Sequence, residues 1–316
     1  MNILVTGGCG FIGSNFLETV FNKVTEQSKV INLDVVTYAA DIKNVTPYEK
    51  KNNYFFEKVD LRDYNELCRV FEQHDISHVV HLAAESHVDN SICGPDAFIE
   101  SNIIGTFNLL KASKVYNVTK FHHVSTDEVY GQLGEEGKFS ESSPYNPNNP
   151  YSASKAASDF LVRSYCHTYK FPATISNCSN NFGPNQHDEK FIPTIIRSIK
   201  NGNKIPVYGR GLNVRDWIYV KDHCSAIWDV FERGRIGETY CIGANCEKKN
   251  IEVVALVCDY LGVKLEEWVH YTTDRKGHDF RYAIDNTKIK KELGWGWKYA
   301  FEDAMRETVR WYCEKY

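Results

Sequence analysis

Asn2-Ile3-Leu4-Val5-Thr6-Gly7-Gly8-Cys9-Gly10-Phe11-Ile12-Gly13 decides the fold of this chain. The apolar run Ile3–Thr6 reads as a buried strand, and Phe11–Lys23 has the pattern of a helix. Gly7, Gly10 and Gly13 lie at the turn between them. They let the chain reverse tightly and let its backbone approach a pyrophosphate. The N–H groups that open the helix, at Phe11 and Ile12, then face the phosphates. A glycine triplet alone also fits an ordinary strand-to-helix turn. Context decides for a dinucleotide. Lys29–Asp34 reads as a second strand, and Asp34 ends it about 20 residues on, where an acid accepts hydrogen bonds from an adenosine ribose. A carboxylate there repels the extra phosphate of NADP, and no arginine follows it, so NAD is favoured. Asp60-Leu61 closes a third strand, Tyr54–Val59, and is placed to meet the adenine, although Asp60 equally suits a helix cap.

The same alternation continues. Asp63–Gln73 reads as a helix with Asp63 as a possible cap, His78–Leu82 as a strand, and Asp96–Val115 as a long helix. Phe121–Ser125 is a fifth strand, Tyr151–Tyr169 a helix and Ala173–Asn177 a sixth strand. Strands alternating with helices predict an α/β fold, a Rossmann-type doubly wound parallel sheet with helices on both faces. Gly131–Pro150 is a long polar loop ahead of the Tyr151 helix, and loops of that size in compact domains are more often functional than idle. The second half is less regular, with helical patterns at Ile192–Asn201, Lys221–Arg233, Ile251–Leu261 and Phe301–Tyr316, and short strands at Ile205–Tyr208, Asp216–Val220 and Glu238–Ile242. Residues 1–178 are expected to form the NAD-binding domain, with a return near 214–240. Residues 179–316 mainly form a smaller mixed α/β substrate-binding domain.

Composition excludes several classes. Net charge is −4, which offers no general field for a polyanion and argues against nucleic acid as a partner. No apolar run approaches the roughly 20 residues that span a bilayer, and the N-terminal residues lack the pattern of a signal peptide. The ten cysteines are scattered without a C-x-x-C pair, and nothing beside Cys241 and Cys246 completes a metal site. Reduced thiols in a cytoplasmic compartment are expected.

Tyr151-Ser152-Ala153-Ser154-Lys155 places a tyrosine and a lysine one helical turn apart on one face. A tyrosine has a pKa near 10. The Lys155 ammonium and the positive nicotinamide ring both favour tyrosinate, which can take a proton from an alcohol as its hydride leaves. Lys155 should also hold the nicotinamide ribose. Ser125-Thr126-Asp127-Glu128-Val129-Tyr130 adds a hydroxyl, a carboxylic acid and a carboxylate at the carboxyl end of the fifth strand, where open α/β sheets bind ligands. Alcohol oxidation needs only the hydroxyl. The two acids suggest removal of a proton and loss of water at the same site, one as base and one as acid.

The spacing G-x-x-G-x-x-G, with Tyr151 and Lys155, resembles the extended short-chain dehydrogenase/reductase superfamily. Within it, seven segments resemble the nucleoside-diphosphate-glucose 4,6-dehydratases: Gly7–Gly13, His81–Asp89, Ser125–Tyr130, Tyr151–Lys155, Cys178–Pro184, Arg215–Trp217 and Arg275–His278. The resemblance runs nearly the full chain, and Thr126-Asp127-Glu128 is its most specific motif. It implies oxidation at glucose C4 by Tyr151 and NAD with Thr126 assisting. Glu128 then removes the C5 proton while Asp127 protonates the departing C6 hydroxyl, and reduction follows at C6. The product implied is a 4-keto-6-deoxy sugar nucleotide, for rhamnose or another deoxysugar.

The resemblance also assigns contacts. To the cofactor it gives Val35, Val36, Thr37, Leu82, Ala83, Ala84, Glu85, Ser101, Cys178 and Asn181, with Ser86 between cofactor and substrate. To the sugar nucleotide it gives Asn180, Lys190, Phe191, Ile192 and Arg215 on the phosphate side. Pro206, Val207, Tyr208 and Asn250 fall near base and ribose, with Arg275 and His278 in the same pocket. Lys276 stands where the family usually has proline, and Phe191 where leucine is common. Family members commonly pair through two long helices each, so a homodimer through Asp96–Val115 and Tyr151–Tyr169 is implied. The base, thymine or uracil, stays open. So do two other readings. A 4-epimerase or decarboxylase would use Tyr151 and NAD but leave Asp127 and Glu128 idle. A dinucleotide-sensing protein would carry out no turnover.

Overall fold

Ile3 and Val5 pack into one apolar core and Leu4 into another. The two-residue period of a strand sends neighbours to opposite faces, so β1 (Asn2–Thr6) is covered on both sides. The same division holds in β2 (Lys29–Leu33), where Val30 joins the first core and Ile31 the second. In β4 (His78–His81), Val80 and Val79 divide likewise. This is the packing of a parallel sheet between two helical layers. The structure is a computed structural model and describes residues 1–274 and 277–316.

Among the described residues the strands form three sheets. The main one has the order β10-β6-β5-β4-β1-β2-β3 with every pairing parallel. Its other members are β3 (Tyr54–Glu57), β5 (Lys120–Thr126), β6 (Ala173–Cys178) and β10 (Thr239–Ile242). The direction of winding reverses between β1 and β4, and the crevice at their carboxyl ends is where such sheets bind ligands. One face carries helices Tyr64–His74, Thr106–Val115 and Pro150–Tyr169, the other Phe11–Phe21 and Val220–Arg233. Asp63 caps the first of these through the N–H groups of Asn65 and Glu66, as the sequence suggested.

The second half builds two smaller sheets. β7 (Asn180–Phe182) lies parallel to β9 (Val214–Tyr219), which pairs antiparallel with β11 (Glu247–Lys249). β8 (Ile205–Tyr208) pairs parallel with β12 (Val269–Thr272). Helices Phe191–Lys200, Asn250–Tyr260 and Phe301–Lys315 cover them, and their apolar faces join the core that holds Ile3 and Phe16. The chain re-enters the main sheet at β10, through Val220–Arg233, which packs on Phe11–Phe21. The loop after Tyr130 is stapled to the C-terminal region. Leu133 N–H donates to Arg281 O, Phe139 N–H to Ala283 O, and the Arg281 guanidinium to the carbonyls of Gly134 and Gly137.

The long helix expected over Asp96–Val115 is present with a modification. It begins as Asp96–Phe98, widens to a π-helical stretch at Ile99–Gly105, and resumes at Thr106. Such widening is rare and frequent at functional sites.

Candidate active site

A cleft opens at the reversal point between β1 and β4. The glycine turn forms its floor. Gly7 has φ +73°, and a Cβ there would lie 2.8 Å from the backbone of Ala83, while one on Gly13 would collide with the Gly7 carbonyl. Gly10 is different: a Cβ there would meet only the Gly7 carbonyl, at 3.3 Å, so this glycine keeps the space in front of it open. With glycine at the cap, no side chain occupies the first-turn N–H groups of Phe11–Phe21, and Phe11, Ile12 and Gly13 all line the cleft. The turn is braced from below. Thr6 Oγ1 accepts the N–H groups of Leu82 and Ala83, both at 3.2 Å, and bonds His81 Nδ1 at 2.8 Å. His81 Nε2 reaches Thr106 Oγ1 at 2.9 Å, tying both strands to the helix above. Neither Thr6 nor His81 carries a sequence signal for this role.

Asp34 directly follows β2 and lines the cleft. Its Oδ2 accepts Cys9 N–H at 2.9 Å and its Oδ1 accepts Val36 N–H at 2.7 Å. A carboxylate offers about four acceptor sites, so two remain for ribose hydroxyls. Burial pushes the Asp34 carboxyl up from its usual range, and the two backbone bonds oppose this. The nucleotide cradle and this acid fit a bound NAD. Val35, Thr37, Asp60, Leu61, Leu82, Ala83, Ala84, Glu85, Ser86, Ser101, Cys178 and Asn181 line the same cleft. Val36 is not among the lining residues; with φ 57° its backbone is turned so that its N–H holds Asp34.

The π-helical stretch explains how Glu85 and Ser86 are held. It presents Asn102, whose Oδ1 accepts Glu85 N–H at 2.8 Å while its Nδ2 donates to Glu85 O at 3.0 Å and Ser154 Oγ at 2.8 Å. One buried amide thus fixes the β4 loop to the tyrosine helix. Asn102 went unread in the sequence.

The reacting groups meet at the end of β5. Thr126 ends the strand, and its Oγ1 accepts Glu128 N–H at 3.3 Å, capping a short helical turn over Asp127–Tyr130. That turn swings Asp127 and Glu128 into the cleft instead of leaving them on the sheet. Opposite, Asn149 and Ser152 form a reciprocal cap with Pro150 in the first helical turn, starting the helix so that Tyr151 and Lys155 face Thr126. All five side chains line one cleft with the glycine turn. Asp127 is fully buried. Burial first, then the neighbouring Glu128 and Asp216, hold its carboxyl well above the usual range, so it keeps a proton.

Sequence reasoning has Lys155 and the positive nicotinamide ring together favouring the ionised Tyr151 phenol. In the structure burial and Glu128 raise it well above its ordinary value, while a hydrogen bond with Thr126 opposes them. Lys155 Nζ donates to Val124 O at 2.9 Å.

The predicted sugar-nucleotide residues divide. Ser86, Thr126, Asn180 and Lys190 line the cleft, and Lys190 Nζ donates to Ser86 O at 2.8 Å across its rim. Phe191, Ile192, Pro206, Val207, Tyr208, Arg215, Asn250 and His278 do not line it. Ile192 and Val207 turn their side chains into the core, because the alternation of β8 buries Val207 while exposing Pro206 and Tyr208. Phe191 stacks on Trp217. Arg215 is buried over the Tyr282 ring and donates to the carbonyls of Val214, Asp279 and Phe280. Its positive charge also opposes the upward shift of the Asp127 carboxyl. Tyr208 and His278 meet edge to face at 6.1 Å, and Tyr208 O–H donates to Asp89 at 3.3 Å. Asn250 N–H donates to Asn213 O at 3.0 Å. Arg275 lies outside the described residues. Gln186 and His187, unread in the sequence, line the cleft beside Lys190.

A dinucleotide turn, a Tyr–Lys pair and two acids in one crevice define an enzyme of the extended short-chain dehydrogenase/reductase type. Comparison with known proteins agrees and goes further. Residues 4–308 match the family model described as GDP-mannose 4,6 dehydratase. The chain is 49% identical to a dTDP-glucose 4,6-dehydratase of Xanthomonas campestris, over 98% of this chain and 92% of that protein. A dTDP-glucose 4,6-dehydratase from Streptomyces venezuelae, solved with NAD bound, superposes with TM-score 0.96 at 43% identity, covering 99% of this chain and 97% of that one. A UDP-glucose 4-epimerase from Thermotoga maritima shares the fold at TM-score 0.91 but only 28% identity, covering 100% and 99%. The chain belongs to the dTDP-glucose 4,6-dehydratase family.

Proposed function

We propose that this protein dehydrates dTDP-glucose to dTDP-4-keto-6-deoxyglucose and water, with NAD as a cofactor retained through the cycle. The observation that carries this is the placement of Asp127 and Glu128 in the cleft that also holds Tyr151 and the glycine turn. NAD, when bound, supplies a reversible hydride acceptor and a positive ring, and a nearby positive charge is what a phenol kept neutral by burial needs to ionise.

The remaining steps belong to this chain's residues. Tyr151 takes the C4 hydroxyl proton, with Thr126 bonded to the phenol. Once C4 is a ketone, the C5 proton becomes acidic, and Glu128 removes it. Asp127, held protonated by its surroundings, gives its proton to the leaving C6 hydroxyl. Glu128 returns a proton to C5 after C6 is reduced. Hydrogen lost at C4 and gained at C6 leaves the sum redox-neutral. Lys190 and Asn180 at the rim suit the diphosphate, a lysine being a point charge for phosphate oxygens. Residues 1–178 with the return through β10 serve the cofactor in this reading, and most of 179–316 the sugar nucleotide.

We also read the protein as a cytoplasmic homodimer that supplies deoxysugar synthesis, rhamnose among its end points. Ten free thiols suit a reducing compartment, and no helix among the described residues is long and apolar enough to cross a membrane. Incubation with dTDP-glucose tests the function. Release of a 4-keto-6-deoxy product that absorbs in alkali is expected. Conversion to the galactose epimer would favour the epimerase reading, and unchanged substrate a binding protein. UDP-glucose run in parallel reads the base preference, since one methyl group is worth only about 1–3 kcal/mol in a pocket.

A further inference from the structure

Three loops that wall the cleft touch one another on its solvent side. Thr37 and Ala39, after β2, line one wall, and Ser86, after β4, lines a second. Gln186, His187 and Lys190, after β7, line a third. Tyr38 stands between Thr37 and Ala39, yet it is not among the lining residues and is 49% exposed. Its hydroxyl accepts Asn90 Nδ2 at 2.9 Å, from the helix Val88–Cys93 that follows Ser86. Its ring meets the His187 ring edge to face at 5.6 Å, with the planes at 90°. One side chain thus joins the first wall to both others.

The second and third walls are also joined. Lys190 Nζ donates to Ser86 O at 2.8 Å, and the Glu189 carboxylate lies 3.9 Å from His87 Nδ1 and 3.6 Å from His187 Nδ1. The Tyr38–Asn90 and Lys190–Ser86 bonds are exposed, whereas Asp34, Thr126, Tyr151 and Lys155 in the same cleft are buried. These contacts therefore cross the mouth of the cleft and not its floor. Behind them the loops are anchored. Asp41 N–H and Asn44 Nδ2 donate to Cys9 O at 3.1 and 3.0 Å, holding the first loop on the glycine turn. Asn15 Nδ2 donates to Pro184 O at 3.0 Å and the Tyr312 hydroxyl to Gln186 O at 2.5 Å, holding the third. An exposed hydrogen bond and one ring contact are each weak, so the Tyr38 side chain can swing away while the anchored backbone stays.

We infer that Tyr38, held by Asn90 and His187, is a gate across the mouth of the cleft that NAD must pass to enter or leave. A gate differs from a binding contact. It slows entry and exit alike, so it changes both rates more than the affinity, whereas a contact made to the bound dinucleotide slows exit. The use of the gate rests on the proposed reaction: hydride taken from C4 has to be given back at C6, and a dinucleotide lost between the two events would strand the sugar as a ketone. The gate itself is a property of the resting protein.

The test is made on the NAD-loaded full chain without any sugar, so its outcome does not depend on that reaction. Exit is followed by mixing with excess alcohol dehydrogenase and ethanol, which reduce NAD once it is free, and by reading the absorbance of the NADH formed. Affinity is read from the NAD left free when the diluted holoenzyme is filtered. Tyr38→Ala should release NAD about tenfold faster or more, while the Kd moves by less than about threefold. Tyr38→Phe keeps the ring and loses the bond, and Asn90→Ala loses the same bond from the other side. Each should speed release about three- to fivefold, and the two combined should be no faster than either one, because they remove one shared interaction. Release unchanged in Tyr38→Ala overturns the inference. So does a Kd that weakens in proportion to the release rate, which would make Tyr38 a contact to the dinucleotide, or single effects that multiply in the double variant.

Discussion

Asp127 and Glu128 are adjacent in sequence and unequal in surroundings. Asp127 is fully buried and keeps its proton, whereas Glu128 is half-buried at the cleft. In the proposed reaction this division suits Asp127 to the acid and Glu128 to the base. Asp127→Asn should retain C4 oxidation and slow water loss by about 10²–10⁴-fold, the usual worth of general acid catalysis. Stopped-flow absorbance of the reduced cofactor against product formation separates the two steps. The pH sign follows from the raised carboxyl: as pH rises through its pKa, the acid form is lost and elimination slows. Elimination that instead accelerates across that range would remove Asp127 from the role. Glu128→Gln should likewise permit oxidation but suppress deuterium uptake at C5 in heavy water.

At the scale of elements, strands β4 and β5 and helix Val220–Arg233 carry four buried histidines. Burial lowers His81, His122, His123 and His223, with His122 and His223 brought to about 3. Their neutral rings are used structurally, as when His122 bridges Thr174 and Ser176 on β6. A depressed folded pKa means that the unfolded chain binds more protons below about pH 6.5. Stability is therefore complete above that value and is lost as pH falls toward the folded values. Each histidine contributes up to about 1.4 kcal/mol per pH unit. Thermal melts should drop steeply between pH 6.5 and 4.5, and His122→Gln should flatten the slope. A melting temperature flat across that window would contradict the assignment. The early strands were legible because each is a short apolar run bounded by turn residues. β7, β11 and β12 were not: Glu247-Lys248-Lys249 and Asn180-Asn181-Phe182 have weak strand preference and form only against a partner distant in sequence. Catalytic and glycine motifs were legible because local spacing sets their geometry. The surroundings of Arg215 were not legible in the sequence, because a tertiary neighbour, Tyr282, decides where its guanidinium lies.

At the scale of the whole molecule, two features go beyond a single fold unit. The first is an apolar surface on helices Thr106–Val115 and Pro150–Tyr169, where Phe107, Val115, Phe160 and Tyr169 stand 40–58% exposed. Lys114 lies 3.7 Å over the Tyr169 ring and joins the two helices into one face. Exposed apolar area of this kind marks an interaction surface. Sedimentation should find a dimer, and Phe107→Asp combined with Phe160→Asp should yield monomers; an unchanged sedimentation coefficient would place the interface elsewhere. The second feature is the joining of glycine turn, Tyr–Lys pair and acid pair in one cleft, which makes oxidation, water loss and reduction successive events at one address. Deuterium placed at C4 of dTDP-glucose tests this most directly. The mechanism predicts that it reappears in the product's C6 methyl group within the same molecule; deuterium retained at C4 or released to solvent while product accumulates would contradict it.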